Sequence, residues 1–189
     1  MTLPCITGII LAGGESRRMG TSKPLIHYKG KHLINWIFEA IRPICSEILI
    51  IANSGDFSAL AASVYPDNYP GNGPAAGIET GLYYCSSNLA LISSCDTPNL
   101  STDFFRHLLM NHHGFDISIA SHDDINEPLI GVFSRSVHPV FRDAIVSGDP
   151  HPPRIIRQCK WHEVSVNSGH HFYKPDLFLN LNTPLDLKR

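Results

Sequence analysis

From Leu11 to Lys23 the chain reads Leu-Ala-Gly-Gly-Glu-Ser-Arg-Arg-Met-Gly-Thr-Ser-Lys, with Gly13, Gly14, Gly20, Arg17, Arg18 and Lys23 crowded into one loop. Glycines let backbone N–H groups approach a ligand closely, and clustered cations beside them suit phosphate. The run follows directly on Ile6–Leu11, an apolar, β-branched segment of the kind that forms a buried strand. In a twisted α/β sheet the carboxyl end of such a strand is where ligands bind. Two familiar phosphate loops are excluded by spacing. There is no Gly-x-Gly-x-x-Gly, and Thr21 follows Gly20 where a Walker A loop needs lysine. The run reads as a nucleoside triphosphate loop of a third kind, against the alternative of an ordinary Gly-rich turn with solvated arginines.

Asp96 is the most informative single residue. It follows the apolar run Leu89–Ser94 and precedes Pro98. A carboxylate there suits Mg2+, which takes one or two carboxylates together with phosphate oxygens. Its competing role is to cap the next helix, for which Ser101 is better placed. Lys23 is the candidate charge on the transferring phosphates, with Arg17 and Arg18 as candidate clamps. Adjacent arginines cannot both point the same way, so either is equally readable as solvated. Asn53 and Asp67 each follow a candidate strand and could contact a base or ribose, or serve only as turn residues. The adjacent pairs His112-His113 and His170-His171, and the lone His162-Glu163, read as solvated side chains rather than metal ligands. No base is evident near Cys95 to make it a nucleophile.

Such residues need a scaffold that brings strand exits to one edge. Leu33, Ile34, Ile37, Phe38 and Ile41 recur at helical spacing, and Pro43 closes that helix. A second buried strand is expected over 47–52, a short Ala-rich helix over 57–62, a brief strand at 63–65 and a helix from Pro74 to about Tyr84. The Leu89–Ser94 strand leads to a helix capped by Ser101 and running through Met110. This alternation predicts an α/β fold: a three-layer, Rossmann-like, mostly parallel sheet with helices on both faces. Further strands are expected at 116–120, 127–133 and 161–166, with helices at 137–146 and near 154–159. The run 177–182 reads as a last strand leading into Thr183-Pro184, the start of a terminal helix. On that strand Asn180 and Asn182 share one face while Leu179 and Leu181 face the core. The two amides, Asn182 foremost, are candidates to hold an acceptor phosphate or a metal shared with the nucleotide. Their competing role is to satisfy neighbouring backbone groups.

Composition narrows the function classes. The 189 residues suffice for one good core, and with no repeat or linker the expectation is a single domain, 1–189. A content of 43% hydrophobic and 17% charged residues is globular. Fifteen basic against seventeen acidic residues, net −2, argue against nucleic acid or an anionic membrane as a main partner. The apolar runs fall short of the roughly 20 residues that span a bilayer. With no basic n-region before the first strand, the expected location is the cytoplasm. The five cysteines form no C-x-x-C pair and read as reduced thiols.

On the glycine–arginine loop and Lys23, the chain resembles the molybdenum cofactor guanylyltransferases, the MobA family of the nucleotide-diphospho-sugar transferase superfamily. The resemblance extends over nearly the whole length. Pro66-Asp67 precedes Gly73-Pro74-Ala75-Ala76-Gly77-Ile78, which is similar to the family's Gly-Pro-Leu-Ala-Gly segment. Cys95-Asp96-Thr97-Pro98 matches its metal-binding Cys-Asp-x-Pro. Glu127-Pro128-Leu129-Ile130-Gly131 and Asn180-Leu181-Asn182-Thr183-Pro184-Leu185-Asp186-Leu187 match its later signatures. Two positions depart from the pattern: Ser22 stands where an Asp is common, and Ala75 where Leu is usual.

The resemblance implies that Leu11, Ala12 and Gly13 contact a guanine nucleotide, Lys23 its phosphates, Asn53 and Asp67 its base and ribose, and Asp96 a Mg2+ ion. The implied reaction is transfer of GMP from GTP to molybdenum-loaded molybdopterin with release of pyrophosphate. Lys23, Arg17 and the Mg2+ held by Asp96 would offset the repulsion between two phosphates, which makes Lys23, Asp96 and Arg17 the implied catalytic residues. Its implied partners are GTP and molybdopterin, with transient contact to molybdenum-insertion proteins or molybdoenzymes, and neither nucleic acid nor membrane. A cytidylyl branch of the same family is the near rival; it usually carries Leu-Ala-Ala-Gly, whereas this chain has Gly13. A sugar-phosphate nucleotidyltransferase is disfavoured by length, and a non-catalytic cofactor-binding module by retention of Lys23 and Asp96.

Overall fold

The structure is a computed structural model that describes residues 5–13, 23–182 and 186. The central sheet has strands β1 (Ile6–Leu11), β4 (Glu47–Ile51), β5 (Ser63–Tyr65), β6 (Leu89–Ser94), β7 (Ile117–His122), β8 (Ile125–Ser134) and β9 (Trp161–Ser165). A two-residue hairpin, β2 (His27–Tyr28) with β3 (Lys31–His32), stands apart from it. Helices are α1 (Leu33–Ile41), α2 (Gly73–Tyr84), α3 (Thr102–Met110), α4 (His138–Val146) and α5 (Pro152–Ile156). The seven strands run in the order β5-β4-β1-β6-β8-β7-β9. All are parallel except β8, which runs antiparallel to β6 and β7. The α/β sandwich expected from the alternation is therefore present, with β1 fully buried near its centre.

Strand periodicity sorts β1 between the layers. Ile6 and Ile10 enter one apolar cluster with Ile37 and Ile41 of α1 and Phe104, Phe105 and Leu108 of α3. Ile9 and Leu11 enter the other, with Ala76, Ile78 and Leu82 of α2 and Phe141 and Ile145 of α4. Helix α2 lies so close to the sheet that a Cβ on Gly81 would stand 2.5 Å from Ile9 Cγ2. Glycine there is a packing requirement.

Several expectations need correction. Residues 57–62 form turns instead of a helix: Ser58 N–H donates to Asp56, and Leu60 N–H to the Phe57 carbonyl. Six residues seldom nucleate a helix, and the buried Phe57 anchors the turn instead. Residues 177–182 form no strand, because Leu177 and Leu179 bond back to Lys174 and Asp176 in turns. Helix α5 begins at Pro152, earlier than expected, with its prolines in the first turn where they are tolerated. Strand β8 starts at Ile125, and Asp123 and Asp124 make the tight turn from β7 with φ of 47° and 60°. His112 is buried rather than solvated, its Nδ1 2.8 Å from Ser118 Oγ. The helix start expected at Thr183-Pro184 lies outside the described residues. All five cysteines are free; Cys45, Cys85 and Cys95 are buried and Cys5 is exposed. Among the described residues no helix is long and apolar enough to cross a membrane.

Candidate functional site

Four parallel strands end on one row. Leu11 pairs with Ile51 and with Ser94, and Ile51 pairs with Tyr65. Gly13, Asn53, Asp67 and Asp96 each lie two residues beyond that row. The ladder continues one step past it through Ala12 N–H to Ile51 O, Ala52 N–H to Tyr65 O and Cys95 N–H to Leu11 O. Beyond those bonds the strands part, and the polar residues stand at the carboxyl edge where the fold opens to ligands.

One half of the edge is built around Asp67. Asn53 Nδ2 donates to Asp67 Oδ2 at 2.8 Å, and Asp67 N–H donates back to Asn53 Oδ1 at 2.9 Å. Burial pushes the Asp67 carboxyl above its ordinary range, partly offset by the Asn53 amide. Two glycines flank it. A Cβ on Gly77 would lie 3.1 Å from Leu11 Cδ2 and 3.7 Å from Asp67 Oδ1, and one on Gly13 would lie 3.8 Å from Asp67 Oδ2. Leu11, Gly13, Asn53 and Asp67 thus form one wall, with Ala12 buried behind it.

The other half is built around Lys23. Its Nζ lies 2.8 Å from Asp96 Oδ2 and donates at 2.5 Å to Asn182 Oδ1. The Lys23 and Asp96 side chains are 18% and 19% exposed, sheltered but reachable. The C-terminal segment is pinned here: Leu181 N–H donates to the Asp96 carbonyl at 2.9 Å and Asn182 N–H to Asp186 Oδ2 at 3.1 Å. Upstream, the Phe178 ring stacks on His122 with centroids 4.0 Å apart. Although the segment is not a strand, Asn180 and Asn182 are both exposed on either side of the buried Leu181. Only Asn182 reaches Lys23. Arg17, Arg18 and Ser22 lie outside the described residues.

Asp96 and Asn182 present hard oxygen atoms around one lysine, and among the described residues Asp96 Oδ1 is met by Thr97 Oγ1 at 3.5 Å. That donor set fits a hard divalent cation. Among the described residues no three His, Cys, Asp or Glu side chains converge into a cage. An ion held by one carboxylate and substrate phosphates needs none. Sequence reasoning missed the stacking of Phe178 on His122, since nothing local in a sequence signals a contact between such distant segments.

Residues 8–165 match the MobA-like NTP transferase domain. The molybdenum cofactor guanylyltransferase of Yersinia pseudotuberculosis is 33% identical, over 97% of this chain and 93% of its own. Molybdopterin-guanine dinucleotide biosynthesis protein A from Archaeoglobus fulgidus superposes with a TM-score of 0.80 at 26% identity, covering 96% of this chain and 95% of its own. A 2-C-methyl-D-erythritol 4-phosphate cytidylyltransferase from Thermus thermophilus shares the fold at a TM-score of 0.71 and 14% identity, covering 96% of this chain and 95% of its own.

Proposed function

The chain belongs to the MobA-like NTP transferase family, and from that premise we propose that it transfers GMP from GTP to molybdenum-loaded molybdopterin, making the guanine dinucleotide form of the cofactor. The observation that carries the chemistry is the Lys23–Asp96 pair at the carboxyl edge. GTP lies across the edge, with its base and ribose on the Asn53–Asp67 side and its phosphates toward Lys23. Leu11, Ala12 and Gly13 supply the backbone against which the nucleotide rests.

The terminal phosphate oxygen of molybdopterin attacks the α-phosphorus of GTP. A new P–O bond forms there, the bond from the α-phosphorus to the bridging oxygen breaks, and pyrophosphate leaves with that electron pair. Both reactants are anionic, so the protein's task is to gather positive charge where they meet. Lys23 supplies one such charge, and Arg17 a second. Asp96 would hold Mg2+, which when bound would neutralise phosphate charge. Asn182, supported by Asn180, orients the acceptor phosphate, and its bond to Lys23 sets where that ammonium points. No side chain forms a covalent intermediate. The reaction is cytoplasmic, and its product is handed on through transient contact with molybdenum-insertion proteins or molybdoenzymes.

A cytidylyl preference is the second reading. Gly13 favours guanine, since the cytidylyl branch usually has alanine there. Binding of GTP, CTP and ATP compared with Mg2+ present, followed by pyrophosphate release with molybdenum-loaded molybdopterin, tests both. Selective GTP binding with turnover is expected. Preference for CTP would transfer the assignment to the cytidylyl branch, and binding without turnover would leave a nucleotide-binding module.

A further inference from the structure

Helix α2 carries an acidic residue in its most buried stretch. Glu79 is 2% exposed, in a helix whose residues 75–82 are all buried. A carboxyl group at that depth needs partners on every oxygen, and it has them. Glu79 Oε2 accepts from Asn68 Nδ2 at 3.1 Å and from Thr80 Oγ1 at 3.3 Å. Glu79 Oε1 lies 2.7 Å from Nε2 of His138, the first residue of α4. Thr80 Oγ1, its proton turned toward Glu79, accepts the Asn68 N–H at 2.8 Å.

Asn68 follows directly on Asp67, whose own N–H is held by Asn53 Oδ1. The peptide that carries the Asp67 side chain is therefore gripped on both sides, by Asn53 before it and by the Thr80–Glu79 pair after it. Gly77, three residues before Thr80 and so on the same helix face, also stands beside Asp67: a Cβ there would lie 3.7 Å from Oδ1, at ordinary contact distance. His138 ties the grip to α4, so three separate elements fix one backbone unit.

The geometry points to Glu79 as a positioning residue for the base-binding wall, acting through Asn68 and Thr80 on Asp67, and so as a determinant of which nucleotide base is accepted. This inference rests on the nucleotidyltransferase reading above. It assigns no contact between Glu79 and substrate. Because the wall binds the base equally in ground and transition states, loosening it raises KM for the nucleotide and leaves kcat nearly unchanged.

The test compares Asn68→Ala, Glu79→Ala and Glu79→Gln by steady-state kinetics with GTP and CTP, alongside melting temperature. Asn68 is exposed and Thr80 still partners Glu79 Oε2, so Asn68→Ala is expected to fold, with a melting temperature lowered only slightly. Its KM for GTP is expected to rise about fivefold, the scale of one ordinary lost hydrogen bond, with kcat within about twofold of wild type and with reduced preference for GTP over CTP. Glu79→Ala is expected to show at least that effect. Glu79→Gln keeps an acceptor for Asn68 and Thr80, and is expected to restore KM. Wild-type KM and base preference in Asn68→Ala would overturn the inference, whether or not Glu79→Ala folds. A wild-type enzyme that prefers CTP or ATP would instead overturn the guanylyl reading, and the same variants then test Glu79 with the preferred nucleotide.

Discussion

Lys23 Nζ stands 2.8 Å from Asp96 Oδ2, so the cation assigned to the phosphates and the carboxylate assigned to the metal neutralise each other before any substrate arrives. In the proposed reaction GTP with Mg2+ would replace that pair by two others: ammonium with phosphate, and carboxylate with metal. Such an exchange would keep both charges partnered throughout, which would lower the cost of holding them in a sheltered site.

Asp96→Asn keeps the side-chain shape and is expected to fold normally. Turnover should fall on the order of 100-fold, the usual scale for loss of a charge-stabilising group. Pyrophosphate release at saturating Mg2+ measures it, and near-normal turnover would remove Asp96 from the mechanism.

Lys23→Ala is expected to raise KM for GTP and lower kcat together, since the ammonium meets phosphate in both ground and transition states. A change confined to molybdopterin affinity would assign Lys23 to the other substrate.

Asn182→Ala removes the amide oxygen that accepts from Lys23 at 2.5 Å. Turnover should drop while GTP affinity stays close to wild type, as fluorescence or calorimetric titration would read. Unchanged turnover with a lowered melting temperature would make the asparagine structural only.

Gly13→Ala adds a Cβ at ordinary contact distance, 3.8 Å from Asp67 Oδ2, so the fold should tolerate it. The added methyl narrows the base wall and should reduce the preference for GTP over CTP. Competition between the two nucleotides reads this directly, and an unaltered ratio would dissociate Gly13 from base choice.

Asp67 is held above its ordinary carboxyl range by burial. A carboxyl group with a raised native pKa binds its proton more tightly folded than unfolded. Its contribution to stability is therefore greatest below the unfolded value and declines as pH rises through the raised one. Asp67→Asn keeps an acceptor for Asn53 and abolishes this loss. It is expected to raise the melting temperature at neutral pH slightly while weakening nucleotide binding. A lower melting temperature at pH 7 with no change in affinity would refute both halves.

The elements that place the site were legible because they are long and one-sided in character. Leu89–Ser94 is an apolar run with a polar stop at Asp96, and the same pattern ends β1 and β4. What escaped reading depends on partners that a linear sequence does not display. Residues 57–62 have helical composition, but an Asx turn at Asp56 and burial of Phe57 decided their course. The 177–182 run alternates as a strand does, yet it meets the Asp96 carbonyl instead of a strand edge. Glu79 sits in a helix buried on every side, where periodicity gives no hint that a carboxyl group would face Asn68.

The order of strands also gives the chain a history. Gly13, Asn53, Asp67 and Gly77 all belong to its first portion, built on β1, α1, β4, β5 and the start of α2. Lys23 reaches its working partners only when Asp96 and then Asn182 have joined. During synthesis, which proceeds from the N-terminus, neither half of the edge is finished early: the hold on Asp67 waits for His138 of α4, and Lys23 waits for Asn182. The two halves of the site are complete only when nearly the whole chain has been made.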